Sequence, residues 1–231
     1  MAKSKSSQNR IKTLAAVGVF TALAYVCCVL FHFKASFLTF DLKDAVMTVG
    51  AMIFGPAWGF AMSVAVALIE FCTISGTGVY GLIMNLLSST VFVCTASFIY
   101  SRRRTMCGAL FAVFTSVILT VTVMMGANLF ITPYYTNVER EVVAKMIPTL
   151  LLPFNLTKSV FNSAVVFLLY KPLITALRNA GFFTSRDSAQ SKALALFRDK
   201  KSVVIAAASL AVAVLAMIFF FIYLGGEFSF T

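Results

Sequence analysis

Charge is what this sequence lacks most. Of its 231 residues only 12% are Asp, Glu, Lys or Arg, while 60% are hydrophobic. A soluble domain carries about 25% charged and about 45–50% apolar residues, so a single core cannot hide this much apolar surface. His32 is the one histidine, which leaves Ser-His-Asp and zinc-protease arrangements unsupported. There is no G-x-x-x-x-G-K-[ST] loop, so the chain does not itself bind ATP in the P-loop manner. No acidic pair repeats along a helix as metal-dependent lipid transferases require. Cys27, Cys28, Cys72, Cys94 and Cys107 lie mostly inside apolar runs, with no paired metal spacing and no disulfide framework. These shortages exclude an ordinary cytosolic enzyme, a disordered chain and a disulfide-built secreted domain.

What is present is a series of long apolar runs. Runs of about 20 residues cross a bilayer as helices, whereas barrel strands would read as short alternating segments. The reading is therefore an all-α integral membrane protein. A basic start, residues 1–10, leads into a first helix at 11–32. That run is longer than the apolar core of a signal peptide, about 7–15 residues, and is read as retained. A short helix at 45–54 stops at Gly55-Pro56, a turn signal. Further helices are expected at 57–73, 79–100, 106–130 and 148–170, with 131–147 a mixed polar stretch. Residues 179–201 read as a basic linker, 202–224 as an additional transmembrane helix and 225–231 as a short tail.

Orientation tests these assignments. With the amino terminus in the cytoplasm and the spans alternating, the inner segments hold 14 of the 19 basic residues. The outer loops hold only Lys34, Lys43, Arg140 and Lys145, the asymmetry that the positive-inside rule asks for. The net charge of +11 then reflects basic loops at a membrane, not nucleic-acid binding.

Ionisable and amide groups inside a span are costly and face the protein interior or a cavity. They are few: Glu70, Asn85, Asn128, Asn155, Lys158 and Asn162. The last three stand at i, i+3 and i+7, on one helical face. Measured at about 1.5 Å per residue from the inner ends of their helices, Lys158 lies about 20 Å up, Glu70 about 22 Å, Asn155 about 24 Å, Asn85 about 25 Å and Asn128 about 36 Å, near the outer rim. Polar groups of separate helices thus converge on the outer half of the bilayer, the arrangement of a ligand pocket open to the outside. Glu70 is read as a counter-ion of Lys158 or an interfacial residue, and Asp41 and Asp44 as solvated loop or cap residues.

Particular segments carry a resemblance. Phe40-Asp41-Leu42-Lys43-Asp44 followed by Phe54-Gly55-Pro56 resembles the first loop and second turn of S components of energy-coupling factor (ECF) vitamin transporters. Asn128-Leu129-Phe130-Ile131-Thr132-Pro133-Tyr134-Tyr135 and Leu152-Pro153-Phe154-Asn155-Leu156-Thr157-Lys158 are similar to the riboflavin-specific members. The resemblance covers residues 10–178 and implies a six-helix substrate-binding membrane domain at 11–178, to which 202–224 adds a seventh helix without a family counterpart. It implies a subunit that takes riboflavin from outside and delivers it inward with a transmembrane coupling subunit and two cytoplasmic ATPases, in a bacterial plasma membrane. It implies no catalysis and no cofactor of its own. By the same resemblance Asn128, Asn155 and Lys158 contact the ligand, and the first loop puts Leu38, Thr39 and Phe40 near it. Asn85 joins them by its depth. A small-residue docking pattern on the first helix corresponds to Gly18 and Ala22.

Riboflavin chemistry suits such a set. A flat apolar ring with carbonyls and ring nitrogens along one edge meets amides that donate and accept and an ammonium with three donors. Aromatic and aliphatic walls would take the ring faces. Three alternatives stand beside this reading. An S component for folate would favour more cationic groups and one for thiamine more acidic ones, with pantothenate a further candidate. A membrane enzyme acting on lipids would set its polar groups near lipid or the inner surface. An assembly subunit would pair its buried polar groups entirely with one another.

Overall fold

The computed structural model describes residues 2–74, 78–179 and 200–228. Its order is α1 (Ala2–Leu30), a hairpin of β1 (Phe33–Ala35) and β2 (Leu38–Phe40), then α2 (Lys43–Phe54) and α3 (Pro56–Thr73). Next come α4 (Gly78–Arg102), α5 (Met106–Thr136), α6 (Arg140–Met146), a π-helical turn (Ile147–Leu151) and α7 (Leu152–Asn179). A last helix, α8 (Lys200–Tyr223), leads into β3 (Glu227–Phe228). Six segments of the described chain are long and apolar enough to cross a membrane: Arg10–Leu30, Pro56–Thr73, Gly78–Arg102, Met106–Thr136, Arg140–Tyr170 and Val204–Tyr223. The linker expected at 179–201 lies almost entirely outside the described residues.

The helix α2 is too short to span by itself, about 18 Å at 1.5 Å per residue. It is instead the axis of the bundle, packed by α1, α3, α4 and α7 and buried from Lys43 to Ile53. A helix closed in on every side needs apolar residues all round, which Ala45 to Ile53 supply apart from Thr48, whose hydroxyl donates to Asp44 O. Gly55 ends it with φ +107°, a conformation that favours glycine, and Pro56 opens α3 where a missing N–H costs nothing. The antiparallel return of α3 requires close approach. At Gly59 a Cβ would lie 2.7 Å from Ala51 Cβ and 2.9 Å from Val93 Cγ1.

Three segments differ from the expectation. The first loop is ordered as a hairpin, with Phe33↔Phe40, Lys34↔Thr39 and Ala35↔Leu38 in register. Its two-residue turn has Ser36 at φ +57°, at the position where a type II′ turn needs positive φ. Second, 131–147 is not a polar connection. The helix α5 runs through Pro133 to Thr136, ends at Asn137 in the left-handed region, and α6 follows. A proline is tolerated in a spanning helix, and a turn further on the Thr136 hydroxyl donates to Thr132 O. Third, the seventh helix ends in a strand. β3 joins the hairpin to give the order β2-β1-β3.

Candidate functional site

The helix α7 organises the site, and its polar stripe divides by function. Asn162 faces α2 and caps it. Its Oδ1 accepts from Ala45 N at 2.9 Å, and its Nδ2 donates to Asp41 O at 3.0 Å and Lys158 O at 3.1 Å. The α2 helix has no side-chain cap of its own, so a neighbouring helix supplies the acceptor that the first-turn N–H groups need. One and two turns away, Lys158 and Asn155 face an open cleft of about 550 Å³, a volume that includes open solvent at its mouth.

That cleft is bounded by the hairpin through Phe37, Leu38 and Thr39, by α4 through Gly81, Met84, Asn85 and Ser88, by α5 through Met124, Asn128 and Tyr135, and by α7 through Asn155 and Lys158. Six of the residues singled out from the sequence therefore share one cavity: Leu38, Thr39, Asn85, Asn128, Asn155 and Lys158. Phe40 does not line it. Its side chain is fully buried behind the hairpin, with its ring 5.0 Å from that of Phe161 and 6.3 Å from that of Phe154. Gly18 and Ala22 stand apart on the exposed face of α1, with open space around the Gly18 Cα.

The electrostatics beneath the cleft differ from the sequence reading, which placed Asp41 and Asp44 in solvent and paired Glu70 with Lys158. Both aspartates are buried, Asp41 at 1% and Asp44 at 3% exposure. The counter-ion of Lys158 is Asp41, at 2.8 Å through Oδ2. Glu70 pairs with Lys43 and accepts from Asn85 Nδ2 at 2.8 Å. Lys43, counted from sequence as an outer-loop cation, is buried and sits 3.4 Å from the same Asp41 oxygen. Asp44 accepts from the Ser89 hydroxyl. Burying any one of these charges alone would cost several kcal/mol, about that much per ion, so the sequence could internalise them only as a connected set. Burial pushes the Asp41 carboxyl up, but the ammonium groups of Lys158 and Lys43 outweigh it and hold it below the usual carboxylate range.

The set leaves donors and acceptors over for the cleft. Lys158 Nζ donates to Asp41 and, at 3.1 Å, to Thr39 O. An ammonium has three donors, so one is left for the cavity that Lys158 lines. Asn155 Nδ2 donates to Leu151 O at 2.8 Å and Asn128 Nδ2 to Met124 O at 2.7 Å. Each bond fixes the amide against its own helix and leaves further hydrogen-bonding capacity on the same group. The Thr132 hydroxyl donates to Asn128 Oδ1 at 2.9 Å, which fixes that amide's orientation. Aromatic surface stands at the mouth. Phe37 meets Tyr135 edge-on with centroids 5.9 Å apart, and Tyr80 stacks near Tyr134 and Tyr135.

Sequence reasoning missed Phe37, Gly81, Met84, Ser88, Met124 and Tyr135. A signal existed for most of them. Gly81, Met84, Asn85 and Ser88 recur at helical spacing around Asn85, and Met124, Asn128 and Tyr135 do the same around Asn128. Phe37 had no such signal, since its position depends on the hairpin turn.

Comparison with known proteins agrees with this architecture. The family model for the ECF transporter substrate-specific component matches residues 12–171. A riboflavin transporter, RibU, of Staphylococcus aureus (strain TCH60) is 25% identical over 188 residues, covering 75% of this chain and 96% of that one. A solved structure, described as the structure and mechanism of the S component of a bacterial ECF transporter, superposes with a TM-score of 0.63 at 24% identity, covering 73% of this chain and 99% of the other. A bundle of apolar spanning helices, with a polar cleft between them and a family match over most of its length, places this chain among the ECF transporter substrate-specific components: it is a multi-pass, substrate-binding membrane subunit and not an enzyme.

Proposed function

We propose that this subunit captures riboflavin from outside the cell and delivers it inward together with an ECF coupling subunit and two ATPases. The observation that carries the flavin reading is the convergence of Asn85, Asn128, Asn155 and Lys158 on one open cleft, in a chain similar to a protein named as a riboflavin transporter. Amides and one ammonium offer donors and acceptors to the polar edge of an isoalloxazine ring, and Met84, Met124, Leu38 and the Phe37–Tyr135 pair offer apolar contact to its faces. The buried lysines beneath the cleft, Lys43 and Lys158, are matched by Asp41 and Glu70, with Asp44 buried beside them, so the set offers no surplus positive charge to an anionic ligand.

The amino terminus lies in the cytoplasm on this reading. The hairpin and the α5–α6 connection then sit outside, at the mouth of the cleft, while Arg102, Arg103 and Arg104 lie at the inner end of α4. Energy comes from partner ATPases, since the chain carries no P-loop. Gly18 and Ala22 offer an exposed small-residue face on α1 to the coupling subunit, where helices can approach closely.

The test is direct. Protein purified in mild detergent from cells supplied with riboflavin is expected to be yellow, absorbing between about 350 and 500 nm as bound flavin chromophores do. Stripped protein is expected to quench flavin fluorescence saturably. Colourless, folded protein that ignores riboflavin would sink the flavin reading and direct the search to other vitamins.

A further inference from the structure

The helix α8 lies beyond the residues matched by the family model, which end at 171, yet it reaches back to the hairpin that walls the cleft. Phe220 is fully buried. Its ring lies 4.5 Å from Phe40 and 6.3 Å from both Phe33 and Phe154, so it ties both hairpin strands to α7. Phe221 meets Phe33 edge-on at 5.6 Å. After Tyr223 the chain turns through Gly225 at φ +61°. Gly226 then passes so close beneath Phe220 that a Cβ would lie 2.0 Å from Cε1. Its N–H donates to Phe220 O at 3.3 Å. β3 then pairs antiparallel with β1, setting Phe33 opposite Phe228 and Lys34 opposite Glu227. The Lys34–Glu227 pair is exposed and of opposite charge, a favourable cross-strand combination.

A hairpin of two three-residue strands is marginal by itself. Here a third strand covers the outer edge of β1, and a buried ring pins the face. We infer that α8 and β3 form a strap that fastens the hairpin over the cleft, and that Phe220 is its positioning residue. Opening the cleft at the hairpin then requires undoing the β1–β3 pairing and withdrawing the hairpin rings from Phe220. Ligand exchange is slowed by that cost. The functional consequence rests on the proposed reading of the cleft as the ligand site. The fastening itself does not depend on which ligand binds.

The experiment uses the full chain in lipid nanodiscs and begins without ligand. Hydrogen–deuterium exchange of the 33–40 segment, read by mass spectrometry, reports hairpin opening. Phe220→Ala is expected to speed exchange there by about tenfold or more, since it removes a large buried ring, while α4 and α5 keep their wild-type protection. Wild-type exchange at 33–40 in that variant would overturn the strap. A complementary variant guards against a loss of folding: Lys34→Cys combined with Glu227→Cys joins Cα partners that face each other across the strands. Its oxidised form is expected to exchange more slowly at 33–40 than wild type and to release riboflavin more slowly, with both effects reversed on reduction. Unchanged hairpin exchange in the oxidised form would equally overturn the strap. If the wild-type chain ignores riboflavin, the flavin reading fails by that result, and the exchange rates still decide the strap.

Discussion

At the scale of single residues, the site is a problem of buried charge. Lys158 carries two duties, closing the pair with Asp41 and facing the cleft. Replacing it by alanine removes a cavity donor and leaves Asp41 with Lys43 alone, at 3.4 Å. Breaking a buried pair costs about 3–5 kcal/mol, so Lys158→Ala is expected to lower thermal stability as well as flavin affinity. Lys158→Met combined with Asp41→Asn separates the two effects. The double variant is expected to melt closer to wild type than Lys158→Ala but to bind flavin no better, as read by thermal unfolding and fluorescence titration. Asn155→Ala leaves the ion set intact and is expected to weaken flavin binding by about 1–3 kcal/mol, as for loss of a buried polar partner. Unchanged affinity in folded Asn155→Ala would remove this residue from the site. The stripe of Asn155, Lys158 and Asn162 was legible in sequence because helical period alone places them together. The partner of Lys158 was not, because Asp41 is 117 positions away and only packing brings it there.

At the scale of elements, the buried helix α2 decides how the others meet. Its short length and Gly55-Pro56 end were readable from the chain. That it starts at Lys43, with two charged residues in its first turn buried, was not. Polar residues at a helix start read as solvated unless one knows that Asn162, Ser89 and Glu70 surround them. Asn162→Ala removes the acceptor for Ala45 N, and loss of such a cap costs about 1 kcal/mol. A lower melting temperature is expected, and an unchanged one would show that the cap contributes nothing. Gly59→Val tests the return of the chain in α3. Its added carbons would meet Ala51 and Val93, and overpacking of this kind costs about 1–3 kcal/mol, again seen as a fall in the melting temperature.

At the scale of the whole molecule, the cleft opens at one end of the bundle while the small-residue face of α1 lies outside the packed core. The proposed binding and docking surfaces are thus spatially separate, and they should separate under mutation. Gly18→Leu puts bulk where nothing within 4 Å opposes it, so the subunit is expected to fold and bind flavin normally. Uptake by cells that also make the coupling subunit and ATPases is expected to fall, because close helix approach is lost. Normal uptake in that variant would move the docking surface elsewhere.

Composition and hydrophobic run length by themselves determined that the chain is a helical membrane protein, and helical period determined which face of α7 is polar. These are local properties, set by the cost of leaving apolar or backbone groups in the wrong solvent. The pairing of Lys158 with Asp41 and of Lys43 with Glu70, the burial of α2 and the fastening of the hairpin by Phe220 and β3 were decided only in the tertiary structure. Each depends on a contact between segments far apart in the chain. A charge or a ring has the same local signature whether it faces water, lipid or a partner, and only the packed arrangement fixes which of these it meets.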